Sequence, residues 1–221
     1  MLLEVRDLTF RPSEEVDLRQ VSFSVDAGEC VVIRSPILLL GTRLLQALIG
    51  LEDTLAGEVW FEQHDMVAPL SLARRLKLRR HIGYVHRVGG LVSLLNVREN
   101  IVLPLSYHEN IERSRLAEMT REVSQSLGIE HLLEHEVDEL DASQTRLVNL
   151  ARALITGPRL LLVDAILEGM REEQIAQATA VVSRYRQRYG FAVVMTARTR
   201  ALPWATQVYE LRDAGLHRVE D

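Results

Sequence analysis

Few side chains in this 221-residue chain are placed to do chemistry unaided. The single cysteine, Cys30, lies in the apolar run Glu29-Cys30-Val31-Val32-Ile33, where a free thiol is expected to be a buried strand residue. With no second cysteine there is no disulfide framework, and a reducing compartment fits best. Tyr107 and His108 read as ordinary helix-face residues, since a lone histidine is more often structural or solvated than a ligand. The segment Leu72 to Arg80 gathers Arg74, Arg75, Lys77, Arg79 and Arg80. Its first reading is one solvated helix face, and its second a patch for nucleic acid or lipid headgroups.

Composition narrows the choice. Acidic residues outnumber basic ones, 31 to 26, for a formal net charge of −5. Affinity for nucleic acid comes largely from neutralising phosphates, so that class loses weight, although a freestanding module using Leu72 to Arg80 stays a third reading. Charged residues at 26% and hydrophobic ones at 47% are an ordinary soluble balance, with enough chain for a sizeable core. No stretch approaches the roughly 20 apolar residues of a membrane span, and the amino terminus lacks a charged-then-apolar signal pattern. Any membrane connection is therefore expected to run through a partner.

The elements that would position a site follow from periodicity. Leu2 to Phe10 and Val21 to Val25 alternate apolar and polar residues and read as half-buried strands; a turn at Asp26-Ala27-Gly28-Glu29 leads to the buried strand Cys30 to Ile33. Helical spacing runs from Leu44 to Leu51, with Gly50 near its end. Glu58 to Phe61 and Ile82 to Val85 read as strands. Helix is expected between about Val97 and Gly128, interrupted by Pro104, and again from Gln144 to Ile155. Leu160 to Asp164 has the composition of a fully buried strand. Helix Glu172 to Tyr189, strand Ala192 to Thr196 and strand Gln207 to Leu211 complete the order. Strands alternating with helices imply a mostly parallel sheet with a separate helical insertion.

In this order the segments resemble the ATP-binding subunit of ABC transporters over essentially the whole chain. The phrases that carry the resemblance are Phe10, Gly28-Glu29, Ala56-Gly57-Glu58-Val59, Ile82-Gly83-Tyr84-Val85, Asn96-Val97-Arg98-Glu99-Asn100, Leu150-Ala151-Arg152-Ala153-Leu154 with Pro158, Leu160-Leu161-Leu162-Val163-Asp164 and Leu211-Arg212-Asp213. The stretch from Gly89 to His108 also looks like the branch serving lipid trafficking. The resemblance implies an α/β fold: a P-loop NTPase-like ABC ATPase core with an antiparallel β subdomain and a helical insertion. It divides the single domain 1–221 into a core with β subdomain (1–86 and 156–221) and a helical subdomain (87–155). It also implies that Phe10 stacks on adenine.

The family's catalytic residues are mostly replaced. A phosphate loop G-x-x-x-x-G-K-[ST] uses glycines to bring N–H groups to the phosphates, a lysine to neutralise them and a hydroxyl for magnesium. Here the corresponding stretch is Ser35-Pro36-Ile37-Leu38-Leu39-Leu40-Gly41-Thr42, with Gly41 at the lysine position and only Thr42 matching. Four bulky apolar side chains would occupy the cradle, while a helix-start dipole offers at most about 2 kcal/mol. An alignment shifted by one leaves Thr42 or Arg43 in the lysine role. The glutamine expected after His86 is Arg87, and a cation cannot ligate a metal ion. The signature loop reads Leu140-Asp141-Ala142-Ser143-Gln144. Its Asp141 would repel phosphate by about 4 kcal/mol for unit charges about 4 Å apart at an effective dielectric of about 20. Asp164 is retained, but the following general base is Ala165, and the switch histidine is Arg198.

The chain is therefore expected to be a pseudo-ATPase that has lost ATP and magnesium and acts as a structural, coupling or regulatory subunit of a membrane ABC complex. The competing reading is a divergent ATPase in which Thr42, Arg43 and Asp164 still handle nucleotide. The resemblance places a permease-docking surface around Arg87 to His108, on the cytoplasmic side of the membrane. It implies a homodimer, or a heterodimer with another ABC ATPase subunit. Arg87 is expected either to pair with Asp164 in place of the metal or to be solvated. Asp141 is expected to meet Arg198, Arg43 or a backbone amide of a partner; the alternative is that Arg87 and Arg198 are simply solvated in an abandoned cleft.

Overall fold

The computed structural model describes residues 1–13, 16–69, 71–106, 111–200 and 202–219. Strands β1 (Leu3–Ser13) and β2 (Val16–Val25) precede β3 (Cys30–Arg34), which runs into α1 (Leu38–Leu48). Next come β4 (Thr54–Phe61), β5 (His64–Asp65), α2 (Leu72–Arg79) and β6 (Ile82–Val85). Helices α3 (Val97–Ser106), α4 (Arg113–Ser126) and α5 (Ala142–Leu154) form the insertion. The chain closes with β7 (Leu160–Asp164), α6 (Glu172–Tyr189), β8 (Ala192–Ala197), β9 (Gln207–Arg212) and β10 (Gly215–Val219).

Two sheets result. One is antiparallel, in the order β2-β1-β4-β5; the other, β10-β9-β3-β8-β7-β6, is parallel except for the edge strand β10. The central strands β3, β8 and β7 are buried on both faces, so they read as apolar runs. Val31, Ile33, Leu160, Leu162, Ala192 and Val194 face α1 and the antiparallel sheet. Their neighbours Val32, Leu161, Val163, Val193 and Met195 face the helices of the insertion and α6. The expected mixed architecture is thus present, with α1 packed between the two sheets.

Phe10 departs from its expected role. Strict alternation starting from the inward Leu3 and Val5 would turn Phe10 outward, where a base could stack. A β-bulge intervenes: the register slips between Val5 and Leu8, with Asp7 at φ 47. One extra residue reverses the faces, so Leu8 and Phe10 point into the core and Phe10 is 0% exposed. Gly57 lies across from this bulge at φ 88, where a Cβ would stand 2.5 Å from the Asp7 carbonyl oxygen. Phe10 cannot stack on adenine from there.

Other differences are local. Helix α1 starts at Leu38, six residues before the expected Leu44, because the leucine triplet favours helix over an open loop. Pro104 lies inside α3 instead of dividing it. Strand β10 and the short β5 went unread because their turns contain no glycine: Asp213-Ala214 and Glu62-Gln63 all sit at positive φ, between 49° and 65°. Tyr107 and His108 lie outside the described residues.

Cys30 matches its expected role. It is 0% exposed, and burial pushes its thiol up to about 12. Native protein treated with iodoacetamide at neutral pH is therefore expected to stay unmodified at Cys30 until denaturant is added; rapid alkylation of the folded chain would contradict this.

Candidate functional site

The carboxyl ends of β3, β7 and β8 converge beside the start of α1. Ser35 N–H donates to the Ala197 carbonyl at 2.8 Å, and the Ser35 hydroxyl donates to the Ile37 carbonyl at 2.6 Å. These bonds turn the chain at Pro36 so that α1 begins without a side-chain cap, leaving Ile37 54% and Leu39 46% exposed. Gly41 packs against β8, where a Cβ would stand 3.0 Å from Cβ and Cγ2 of Thr196.

Thr42 Oγ1 lies 3.0 and 2.9 Å from the two carboxylate oxygens of Asp164 and shares its single hydrogen with them. The Thr196 hydroxyl approaches the same carboxylate at 3.3 Å. Asp164 is 3% exposed, and burial raises its pKa against the opposing pull of the Thr42 hydroxyl, the charge of Arg87 and the Thr196 hydroxyl. Among the described residues no ion pair within 4.0 Å joins Arg87 to Asp164. The expected replacement of metal by a direct Arg87 salt bridge is therefore not formed; two hydroxyls hold the carboxylate, and the charge of Arg87 acts on it from a distance.

The other substituted positions are also engaged within the chain. Ala165 is 1% exposed at φ 42, with its N–H on the Thr196 carbonyl at 3.2 Å. Arg198 is held by Glu168: its N–H donates to Oε1 at 2.8 Å, and its guanidinium reaches the Pro36 carbonyl at 3.4 Å. Arg43 turns to Glu52, 2.5 Å away. Arg43 is thus paired outside the Thr42–Asp164 cluster. Asp141 caps α5: its Oδ1 accepts the Gln144 N–H at 2.8 Å, while Gln144 Oε1 accepts the Asp141 N–H at 2.8 Å. This reciprocal box satisfies two otherwise orphaned donors. It also leaves a carboxylate at the helix start, where Ala142 and Ser143 begin the first turn.

The structure therefore brings together Gly41, Thr42, Asp164, Ala165, Arg198 and the field of Arg87. No hydrogen bond ties Asp141, Ala142 or Ser143 to that group among the described residues. Glu168, Thr196 and Tyr84 belong to the site but were not read as such. The Tyr84 hydroxyl is buried without a partner, and burial together with the charge of Asp164 raises its pKa. Proximity of Tyr84 to Asp164 follows from β6 pairing with β7, where Tyr84 registers with Leu162.

The segment after β6 is anchored by two asparagines, each 0% exposed. Asn149 on α5 donates to the Gly89 carbonyl at 2.8 Å, and Asn100 on α3 accepts the Val92 N–H while donating to the carbonyls of Val92, Leu95 and Asn96. His86 packs against Tyr84 in a tilted arrangement, with ring centroids 4.6 Å apart and the planes 44° from parallel. Burial, then the charge of Arg152, lowers its pKa below the ordinary 6.5. A histidine with a depressed folded pKa binds protons more readily when unfolded, so stability is lost as pH falls from about 6.5. Replacing His86→Gln is expected to flatten that acid limb in denaturation measured across pH, and an unchanged limb would remove the assignment.

The fold matches solved ATP-binding cassettes. A dimeric cassette, MJ0796, in a post-hydrolysis state bound to ADP and Pi, superimposes with a TM-score of 0.87 at 22% identity, covering 99% of each chain. The ABC transporter family model matches residues 18–167, and the chain belongs to that family. Relatives include the lipoprotein-releasing system ATP-binding protein LolD of Francisella tularensis, 26% identical over 91% of this chain and 88% of the relative. LolD of Coxiella burnetii is 29% identical over 76% of this chain and 73% of the relative. These relatives agree with the lipid-trafficking branch expected from the stretch Gly89 to His108. No helix among the described residues is long and apolar enough to cross a membrane.

Proposed function

We propose that this chain is a non-hydrolysing ATP-binding-cassette subunit that serves as a structural, coupling or regulatory component of a membrane ABC complex. The observation that carries the reading is the side chain next to Asp164, where neither a carboxylate nor an imidazole stands. The adjacent position is the buried methyl of Ala165, Glu168 is engaged by Arg198, and Asp164 itself accepts from Thr42 and Thr196. Water activation needs a carboxylate or imidazole within reach of the water and able to take its proton.

The same geometry argues against ATP and magnesium as resident cofactors. What supports this is that α1 opens on leucines, Arg43 is turned to Glu52, and the start of α5 already carries its own carboxylate. A triphosphate brought to α5 would meet Asp141 where a helix N-terminus ordinarily attracts anions. The partners of this reading are a permease docked near Arg87 to His108 and a second cassette subunit, on the cytoplasmic face of the membrane; the dimeric MJ0796 cassette supports the second subunit. Arg198 and Arg43 are each partly exposed beside a carboxylate of their own chain, so Asp141 across a dimer would share them with Glu168 or Glu52, or would use a backbone amide.

A second reading, residual nucleotide handling, is favoured by the surviving Thr42 and Asp164 pair. Phosphate release by the purified chain, alone and with detergent-extracted membranes that supply the permease, separates the two. Release at the level of a no-protein blank supports the proposal; turnover that disappears in Asp164→Asn supports the second reading.

A further inference from the structure

We infer that α2 is a contact for anionic phospholipid, so that the chain touches the bilayer surface directly as well as through any partner. The inference does not rest on the catalytic state of the chain. It begins with charge: no acidic residue occurs between Asp65 and Glu99, although the whole chain has a net charge of −5. Within that stretch α2 and its C-cap carry five cations in seven residues.

Two of these cations face inward and fix the helix. Arg79 donates to the Ile49 and Gly50 carbonyls at 3.0 and 2.9 Å, and Arg75 to the Gly50 and Ala68 carbonyls at 3.4 Å. They cap the carbonyl end of α1, where positive charge is favoured. Arg74, Lys77 and Arg80 remain, all exposed and without an acidic partner among the described residues. Leu72 is 69% and Leu76 49% exposed, four residues apart on one stripe. At about 100° per residue the outward arc runs from these leucines through Arg80, Ala73 and Lys77 to Arg74. Leu51, 56% exposed, follows the Gly50 carbonyl that both arginines hold.

A leucine stripe bordering unpaired cations on a rigidly held helix is the pattern of an interfacial helix, with the leucines at the acyl boundary and the cations among anionic headgroups. A single-stranded nucleic-acid platform would use aromatic side chains for stacking, and α2 has none. Charge complementarity and exposed leucine therefore select an anionic bilayer.

The test is co-sedimentation of the full chain with vesicles of phosphatidylcholine alone or of an equal mixture of phosphatidylcholine and phosphatidylglycerol. Binding is expected only to the anionic vesicles and is expected to weaken with salt. Each cation near the surface changes partitioning about fivefold, so Arg74→Gln, Lys77→Gln and Arg80→Gln together should weaken it about a hundredfold. Leu72→Ser with Leu76→Ser should weaken it about tenfold. All five positions are exposed, so thermal melts should match the parent. The control triple Arg113→Gln, Arg121→Gln and Arg184→Gln removes the same charge elsewhere and should bind as the parent does. No sedimentation, equal binding to both vesicles, or equal loss in the control would overturn the inference. So would indifference to the leucine changes, since the leucines would then lie outside the contact.

Discussion

Phe10→Ala is expected to destabilise the chain by about 3–5 kcal/mol, the usual range for emptying a buried aromatic site. Phe10 is 0% exposed and belongs to the core formed by the antiparallel sheet, α1 and one face of the parallel sheet. Truncation leaves a cavity that the paired strands β2 and β4 cannot close, because both are hydrogen-bonded to β1 along most of its length. The measurement is equilibrium denaturation, with an unchanged slope and a lowered midpoint. An aromatic platform for a base would stand partly in solvent, and its loss would cost little in the absence of ligand. A penalty below about 1 kcal/mol would thus restore that role, since surface substitutions usually stay within about 0.5 kcal/mol.

Thr42→Val has the second largest expected effect, about 1.5–3 kcal/mol, because it takes a hydrogen-bond donor from a buried carboxylate while keeping the side-chain shape. The pH dependence has a definite sign. Burial already raises the folded pKa of Asp164 above its ordinary 3.8, and the Thr42 hydroxyl opposes that rise. Removing it raises the pKa further, so the parent and Thr42→Val differ most where Asp164 is ionised and converge as acid protonates it. In an Asp164→Asn background the same change should cost distinctly less, because the stranded group is neutral. A small, pH-independent penalty would mean that Thr42 does not serve the carboxylate.

These residues also show what the sequence could disclose. Leu160 to Asp164 was legible because a strand buried on both faces is an unbroken apolar run, and the α6 helix because its periodicity ends at Gly190, whose φ of 70 marks the C-cap. The bulge at Asp7 was not legible, since one inserted residue leaves composition and average periodicity unchanged while exchanging the two faces. Asp141 carried two signals. Its charge was read as a barrier to phosphate, whereas its spacing from Gln144 is a helix-capping pattern, and both descriptions fit the same atoms. Thr42 and Asp164 were identified individually, but their contact spans 122 positions and depends on β7 lying near the start of α1. Glu168 carries no signal of its own in the sequence, because only the fold brings it to Arg198.

The most direct test of the central claim is calorimetric titration of the purified chain with ATP and magnesium, with the Gly41→Lys variant in parallel. Thr196 crowds position 41, so that single restoration should strain the site without creating a cradle. The account predicts no saturable heat for either protein at millimolar nucleotide. A saturable, magnesium-dependent isotherm from the parent chain, lost in Asp164→Asn, would contradict it.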